Sequence, residues 1–140
     1  MSQIEYNLMP QGQVLQDFAD CRARNSFIMG PLGSGKTVQC ILKLFDLMCE
    51  QKPVSDPEHK NYGVRLSRVI AARNTYSELF STTIKDWLEI HGELGDFKQG
   101  NKEPPTHFLR FNLEDGTRVE CDVVFIAFDR PEHVKKARGI

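Results

Sequence analysis

The sequence predicts an α/β domain built on a mainly parallel central sheet with an added β-hairpin, and three observations carry that prediction. Ser26-Phe27-Ile28-Met29 is a short apolar run followed at once by a glycine-rich turn and then a helical pattern. Arg68 to Ala72 is a second short apolar stretch, and Val123 to Phe128 a third and unbroken one, the form taken by strands buried on both faces of a parallel sheet. With 140 residues, 40% of them hydrophobic, the chain is long enough for one ordinary domain with a real core.

The glycine-rich turn gives the strongest chemical signal. Gly30-Pro31-Leu32-Gly33-Ser34-Gly35-Lys36-Thr37 meets every fixed position of the phosphate-loop pattern G-x-x-x-x-G-K-[ST]. Such a loop meets concentrated phosphate charge with backbone N–H groups that only glycine-permissive turns aim inward. Gly30, Gly33 and Gly35 supply that freedom. Lys36 is expected to bring a positive charge to the β- and γ-phosphates, and the Thr37 hydroxyl to ligate the Mg²⁺ that bridges them, which makes Mg-ATP the expected cofactor. A glycine turn that merely happens to precede Lys-Thr would match in about one chain of this length in 200. Val38, Ile41, Leu42, Phe45, Met48 and Cys49 then recur at helical spacing, so strand, loop and helix follow in the order the chemistry requires.

Ahead of the loop, residues 1–25 begin polar and offer a short helical pattern at Val14, Leu15 and Phe18. Gln11 or Gln13, after Met9-Pro10, stands where many P-loop enzymes place a glutamine that recognises adenine; a surface glutamine is the other reading. Beyond the loop helix, Glu50 to Gly63 is polar and broken by Pro53 and Pro57, the composition of an exposed connection. Arg73 follows the second apolar stretch, at the carboxyl end of a strand, the edge where open α/β sheets bind ligands. It reads either as a charge stabiliser for the γ-phosphate or as half of a structural ion pair.

Thr75 and Glu78 fit a capping box that starts a helix. Tyr76, Leu79, Phe80, Thr83, Ile84, Trp87 and Leu88 share one face of it, a core stripe, and Gly92 and Gly95 mark its end. Residues 93–105 read as a polar loop. His107, Leu109, Phe111 and Leu113 then alternate up to Asp115-Gly116, and Val119, Cys121 and Val123 return, which predicts a hairpin. The last strand runs into Asp129, which reads either as a Mg²⁺-binding carboxylate or as the cap of a helix with Pro131 and Glu132 in its first turn. The catalytic glutamate expected beside such a carboxylate is missing, since Arg130 follows.

A net charge of −1 gives no global case for nucleic acid, and Lys135, Lys136 and Arg138 form the one dense basic cluster, read as a solvated helix face. Cys21, Cys40, Cys49 and Cys121 are widely spaced, with no C-x-x-C pair, which argues against zinc. No apolar run approaches the length of a membrane span and the Met1 end lacks the form of a signal peptide, so a cytosolic protein is expected.

Three stretches together resemble one family. Gly30 to Thr37, then Arg73-Asn74-Thr75-Tyr76 with Glu78-Leu79 and Ser81 to Trp87, then Phe125 to Glu132 with Val134 and Lys135, look like the amino-terminal ATPase domain of the large terminase subunits that package DNA into tailed-phage capsids. The resemblance covers about residues 5–140 and implies an ASCE-type P-loop NTPase, a three-layer sandwich around a mainly parallel sheet. In proteins of this type the segment like Phe125 to Glu132 precedes the Mg²⁺-binding acidic strand, which moves Asp129 out of the metal role. The acidic strand with its catalytic glutamate is then expected beyond Ile140, and the carboxy-terminal nuclease domain is absent, so the sequence reads as the front part of a larger motor.

The resemblance further implies double-stranded DNA, a small terminase subunit and a portal protein as partners, and a homo-oligomeric ring. It places such a motor in the host cytoplasm, transiently at the procapsid portal and not in the mature virion. Two other readings stand beside the translocating ATPase: a P-loop kinase acting on a small molecule or nucleotide, and a truncated nucleotide-binding module with no turnover of its own.

Overall fold

A computed structural model of the chain describes residues 12–31, 33, 35–100 and 104–129. The chain divides into two compact units, residues 1–43 and 44–140.

In the first unit, α1 (Gln13–Asp20) opens with the Gln16 amide on the Gly12 carbonyl and closes with the Cys21 amide on the Asp17 carbonyl. Its apolar face buries Ala19 and half-buries Leu15 and Phe18. The strand expected at Ser26–Met29 is not formed. Ser26 and Ile28 are half-buried while Phe27 and Met29 are 88% and 89% exposed, so the side chains alternate, but among the described residues no strand forms a ladder with them. A four-residue run carries no ladder of its own, and a strand needs partners for its N–H and C=O groups. After the loop, α2 (Lys36–Glu50) begins, and its apolar spacing matches the helical pattern of the sequence.

The second unit holds β1 (Val64–Arg73), β2 (Asp96–Lys98), β3 (Thr106–Asn112) and β4 (Arg118–Ala127) in one open sheet of order β1-β4-β3-β2. The architecture is mixed α/β, but the sheet is mostly antiparallel, which corrects the expectation of a mainly parallel one. Only β1 and β4 run parallel; β4 pairs antiparallel with β3, and β3 with β2. The cause lies in the hairpin. Asp115 accepts from the Thr117 amide and hydroxyl at 2.9 and 2.5 Å and receives Arg65 at 3.0 Å, so the five-residue turn between β3 and β4 is tightly held and puts antiparallel neighbours at the centre. β2 lies inside the stretch expected to be a polar loop. It is a three-residue edge strand whose only half-buried residue is Phe97, too short to show a period.

Of the run Val123 to Phe128 expected to be buried on both faces, Val123 to Ala127 is buried and Phe128, past the end of β4, is 41% exposed, whereas β1 is half-open, with Leu66 and Ile70 each 42% exposed on one face. The opposite face carries the core. There Val119, Cys121, Val123, Phe125 and Ala127 of β4 and His107 and Leu109 of β3 are buried, and the helical segment after β1 contributes Leu79, Ile84 and Trp87 to the same core. Trp87 meets Phe125 edge-on at 5.9 Å between ring centroids, and its Nε1 donates to His107 Nδ1 at 2.8 Å. Gly95 lets β2 approach: its φ is 85°, and an added Cβ would fall onto the Phe108 carbonyl.

The helical segment is not uniform. Thr75 caps α3 (Tyr76–Glu78) by accepting from the Glu78 amide at 3.2 Å, as the capping box requires, and a π-helical turn over Leu79–Ile84 precedes α4 (Lys85–His91). Leu79, Thr83, Trp87 and His91 are all buried at four-residue steps. An α-helix turns about 100° per residue, so such steps drift by about 40° each and would carry the stripe off the sheet. The wider i→i+5 turn takes that drift back.

Candidate functional site

Two described glycines of the loop take backbone that suits its motif, while Gly30 is not in the positive-φ region. Gly33 and Gly35 lie at φ 76° and 83°, the left-handed region that side chains avoid. The Gly35 carbonyl then accepts from the Gln39 amide at 2.9 Å, which starts α2 at Lys36. A helix whose first amides have no intrahelical acceptor therefore follows the loop directly, an arrangement suited to anions. Lys36 Nζ donates to the Gly30 and Pro31 carbonyls, the latter at 2.8 Å. Its charge is thus folded back on the loop and has to leave those carbonyls to meet a phosphate. Thr37 is half-buried in the first turn of α2. Leu32 and Ser34 lie outside the described residues, as do Gln11, Pro131, Glu132 and the Lys135–Arg138 cluster.

α1 flanks this loop: a Cβ at Gly35 would sit 3.8 Å from Leu15 Cδ1. Gln13 opens the same helix, is exposed, and donates from Nε2 to Asp17 Oδ1 at 2.6 Å. One residue that sequence reasoning missed is Lys43. It is 7% exposed, donates to the Phe18 carbonyl at 2.6 Å and Ser26 Oγ at 3.3 Å, and lies 4.3 Å over the Phe18 ring. A lysine inside an apolar helical pattern reads as a snorkelling surface residue. The one available hint is its seven-residue spacing from Lys36, which puts both on one helical face.

Arg73 and Asp129 belong to the second unit. The parallel register sets Arg73 opposite Ala127, and the Phe128 amide donates to the Arg73 carbonyl at 3.0 Å, so the carboxyl ends of β1 and β4 form one edge and Asp129 follows from it exposed. Arg73 Nε donates to Thr83 Oγ1 at 2.8 Å, so the π-helical turn holds the guanidinium in place. Among the described residues no group of three or more His, Cys, Asp or Glu side chains is placed to hold a metal ion. Thr37 of the first unit and Asp129 of the second are the oxygen ligands that the sequence reading offers for Mg²⁺, each taken by itself.

Titration behaviour follows burial and hydrogen bonding. The Cys21 thiol is lowered, chiefly by the hydrogen bond from Ser26 Oγ at 3.5 Å, whereas burial pushes Cys49 and Cys121 up to about 11. Burial holds His107 below the usual histidine range against the opposing influence of the Leu94 backbone and Asp96. With Trp87 donating to its Nδ1, the neutral ring carries its proton on Nε2. No described helix is long and apolar enough to cross a membrane. Comparison with protein-family models, with curated proteins and with solved structures found no match.

Proposed function

We propose that the chain binds Mg-ATP through Gly30–Thr37 and is the ATP-binding part of a terminase large subunit, a motor that couples ATP hydrolysis to movement of double-stranded DNA into a procapsid. The observation that supports nucleotide binding best is the loop itself, with Gly33 and Gly35 in left-handed backbone directly ahead of α2 and Lys36 at its first position. On this reading Lys36 binds the β- and γ-phosphates, Thr37 ligates Mg²⁺, Gln13 contacts adenine and Arg73 senses or stabilises phosphate charge. Bound Mg²⁺ would supply charge neutralisation of the phosphate oxygens.

The motor assignment rests on the resemblance of Arg73 to Trp87 and Phe125 to Glu132, and with it the P-loop NTPase sandwich, the small terminase subunit, the portal protein, the ring of subunits and the cytoplasmic and portal location. Two measurements test the reading. Lys36→Ala removes the charge opposite the phosphates and should weaken Mg-ATP binding by about 30-fold or more, the cost of stranding one partner of a close charge pair. ATP turnover of the motor should rise with double-stranded DNA and not with a small phosphoryl acceptor; stimulation by an acceptor alone would make the protein a kinase.

A further inference from the structure

Lys43 is a buried cation with no carboxylate partner among the described residues, and such a group is costly to desolvate. A methionine of similar length would fill the same space without that cost, so the ammonium is retained for what it holds. Its partners are two residues of the first unit, Phe18 and Ser26. The Phe18 carbonyl belongs to the last turn of α1, the Phe18 ring lies beneath the ammonium, and Ser26 begins the segment that leads into the phosphate loop. Lys43 itself stands on α2, the helix that leaves the loop, seven residues after Lys36. One side chain therefore ties the start of the loop to its exit helix and both to α1. That tie matters here because Ser26–Met29 forms no strand, and the start of the loop has no ladder in the described sheet to fix it. Lys36 and Lys43 divide the work along one helical face: Lys36 closes on the loop carbonyls, and Lys43 fixes the loop's flank.

We propose that Lys43 is a positioning residue for the phosphate loop, presetting Gly30–Thr37 for a polyphosphate by clamping Ser26 and α1 to α2. The proposal rests on the nucleotide-binding reading. It assigns no contact between Lys43 and the ligand; the effect passes through Ser26. A loop held in its binding shape loses less freedom when the ligand arrives, so releasing the clamp costs affinity without removing a ligand contact.

The test is calorimetric titration of the whole chain with Mg²⁺ and inorganic tripolyphosphate, which has no base and so isolates the loop. Lys43→Met should weaken binding about tenfold and Ser26→Ala several-fold. The double variant should be no weaker than Lys43→Met alone, because both changes break one clamp. Lys43→Arg, which keeps the donors, should recover most of the affinity, a rescue that simple filling of space would not require. Circular dichroism and the fluorescence of Trp87, the single tryptophan, report whether each variant is folded, and Ser26→Ala keeps the test alive if Lys43→Met is not. Wild-type affinity in both single variants, or additive losses in the double variant, would overturn the positioning role while leaving nucleotide binding intact. Absence of any binding by the wild-type chain, with Mg-ATP also unbound, would overturn the nucleotide reading and the clamp with it.

Discussion

Around Gly30–Thr37 the chain is held by two lysines donating to carbonyls and a hydroxyl, with Phe27 and Met29 facing solvent; around Trp87 the rings of Phe125, His91 and His107 close a buried core across β3, β4 and α4. The first region carries nearly all the recognisable chemistry and little apolar packing. The second carries the packing and, of the charged residues named from the sequence, presents Arg73, held by Thr83, and Asp129 at the carboxyl ends of β1 and β4 among the described residues. The difference teaches that a motif and a core answer to separate constraints. A phosphate loop needs particular backbone angles and a charge, whereas a core needs volume and satisfied polar groups, and each is damaged by a different class of substitution.

The sharpest way to break that contrast is a pair of substitutions. Trp87→Ala empties the fully buried centre of the core and strands His107 Nδ1, so it should cost about 3–5 kcal/mol. Lys36→Ala should change stability by no more than about 0.5 kcal/mol while removing nucleotide binding. Denaturant unfolding followed by circular dichroism measures both, and comparable losses would mean the two regions are not separable in this way.

A smaller effect sharpens the description of the π-helical turn. Thr83→Val keeps the shape of the side chain and loses the acceptor for Arg73 Nε, so about 1 kcal/mol of stability should go, with Thr83→Ser recovering most of it. Full stability in the valine variant would show that packing alone sets the turn.

Acid should act on the core more gently. His107 is held below its ordinary value by burial, so below about pH 6.5 the unfolded chain binds a proton that the folded chain refuses. Stability is then complete above the unfolded value and falls as the pH drops toward the folded one. His107→Gln should flatten that slope even if it lowers stability overall; an unchanged slope would assign the acid response to other groups.

Legibility in the sequence followed the same division. The hairpin was readable because Asp115-Gly116 interrupts a clean alternation, the start of α3 because Thr75 and Glu78 cap it, and the burial of β4 because Val123 to Ala127 contains no polar residue. Sheet direction was not readable. An apolar run does not reveal which neighbour it pairs with, and the tight turn ahead of β4 decided for antiparallel pairing on that side. β2 was hidden because three residues at an edge have no period, and Ser26–Met29 misled because alternation without a partner makes no strand. Within the candidate site the glycines and Lys36 were legible as a pattern. Lys43 was not, because its role depends on the Phe18 carbonyl 25 residues away, a contact that local spacing cannot express.

The most direct test of the central claim is a ¹⁵N–¹H NMR titration of the whole chain with Mg-ATP. Nucleotide binding at the loop predicts that the Gly33 and Gly35 amides move together with saturation, that core amides such as Leu109 and Phe125 stay in place, and that Lys36→Ala abolishes the response. Glycine amides that remain still at millimolar Mg-ATP, or that move equally in Lys36→Ala, would contradict it.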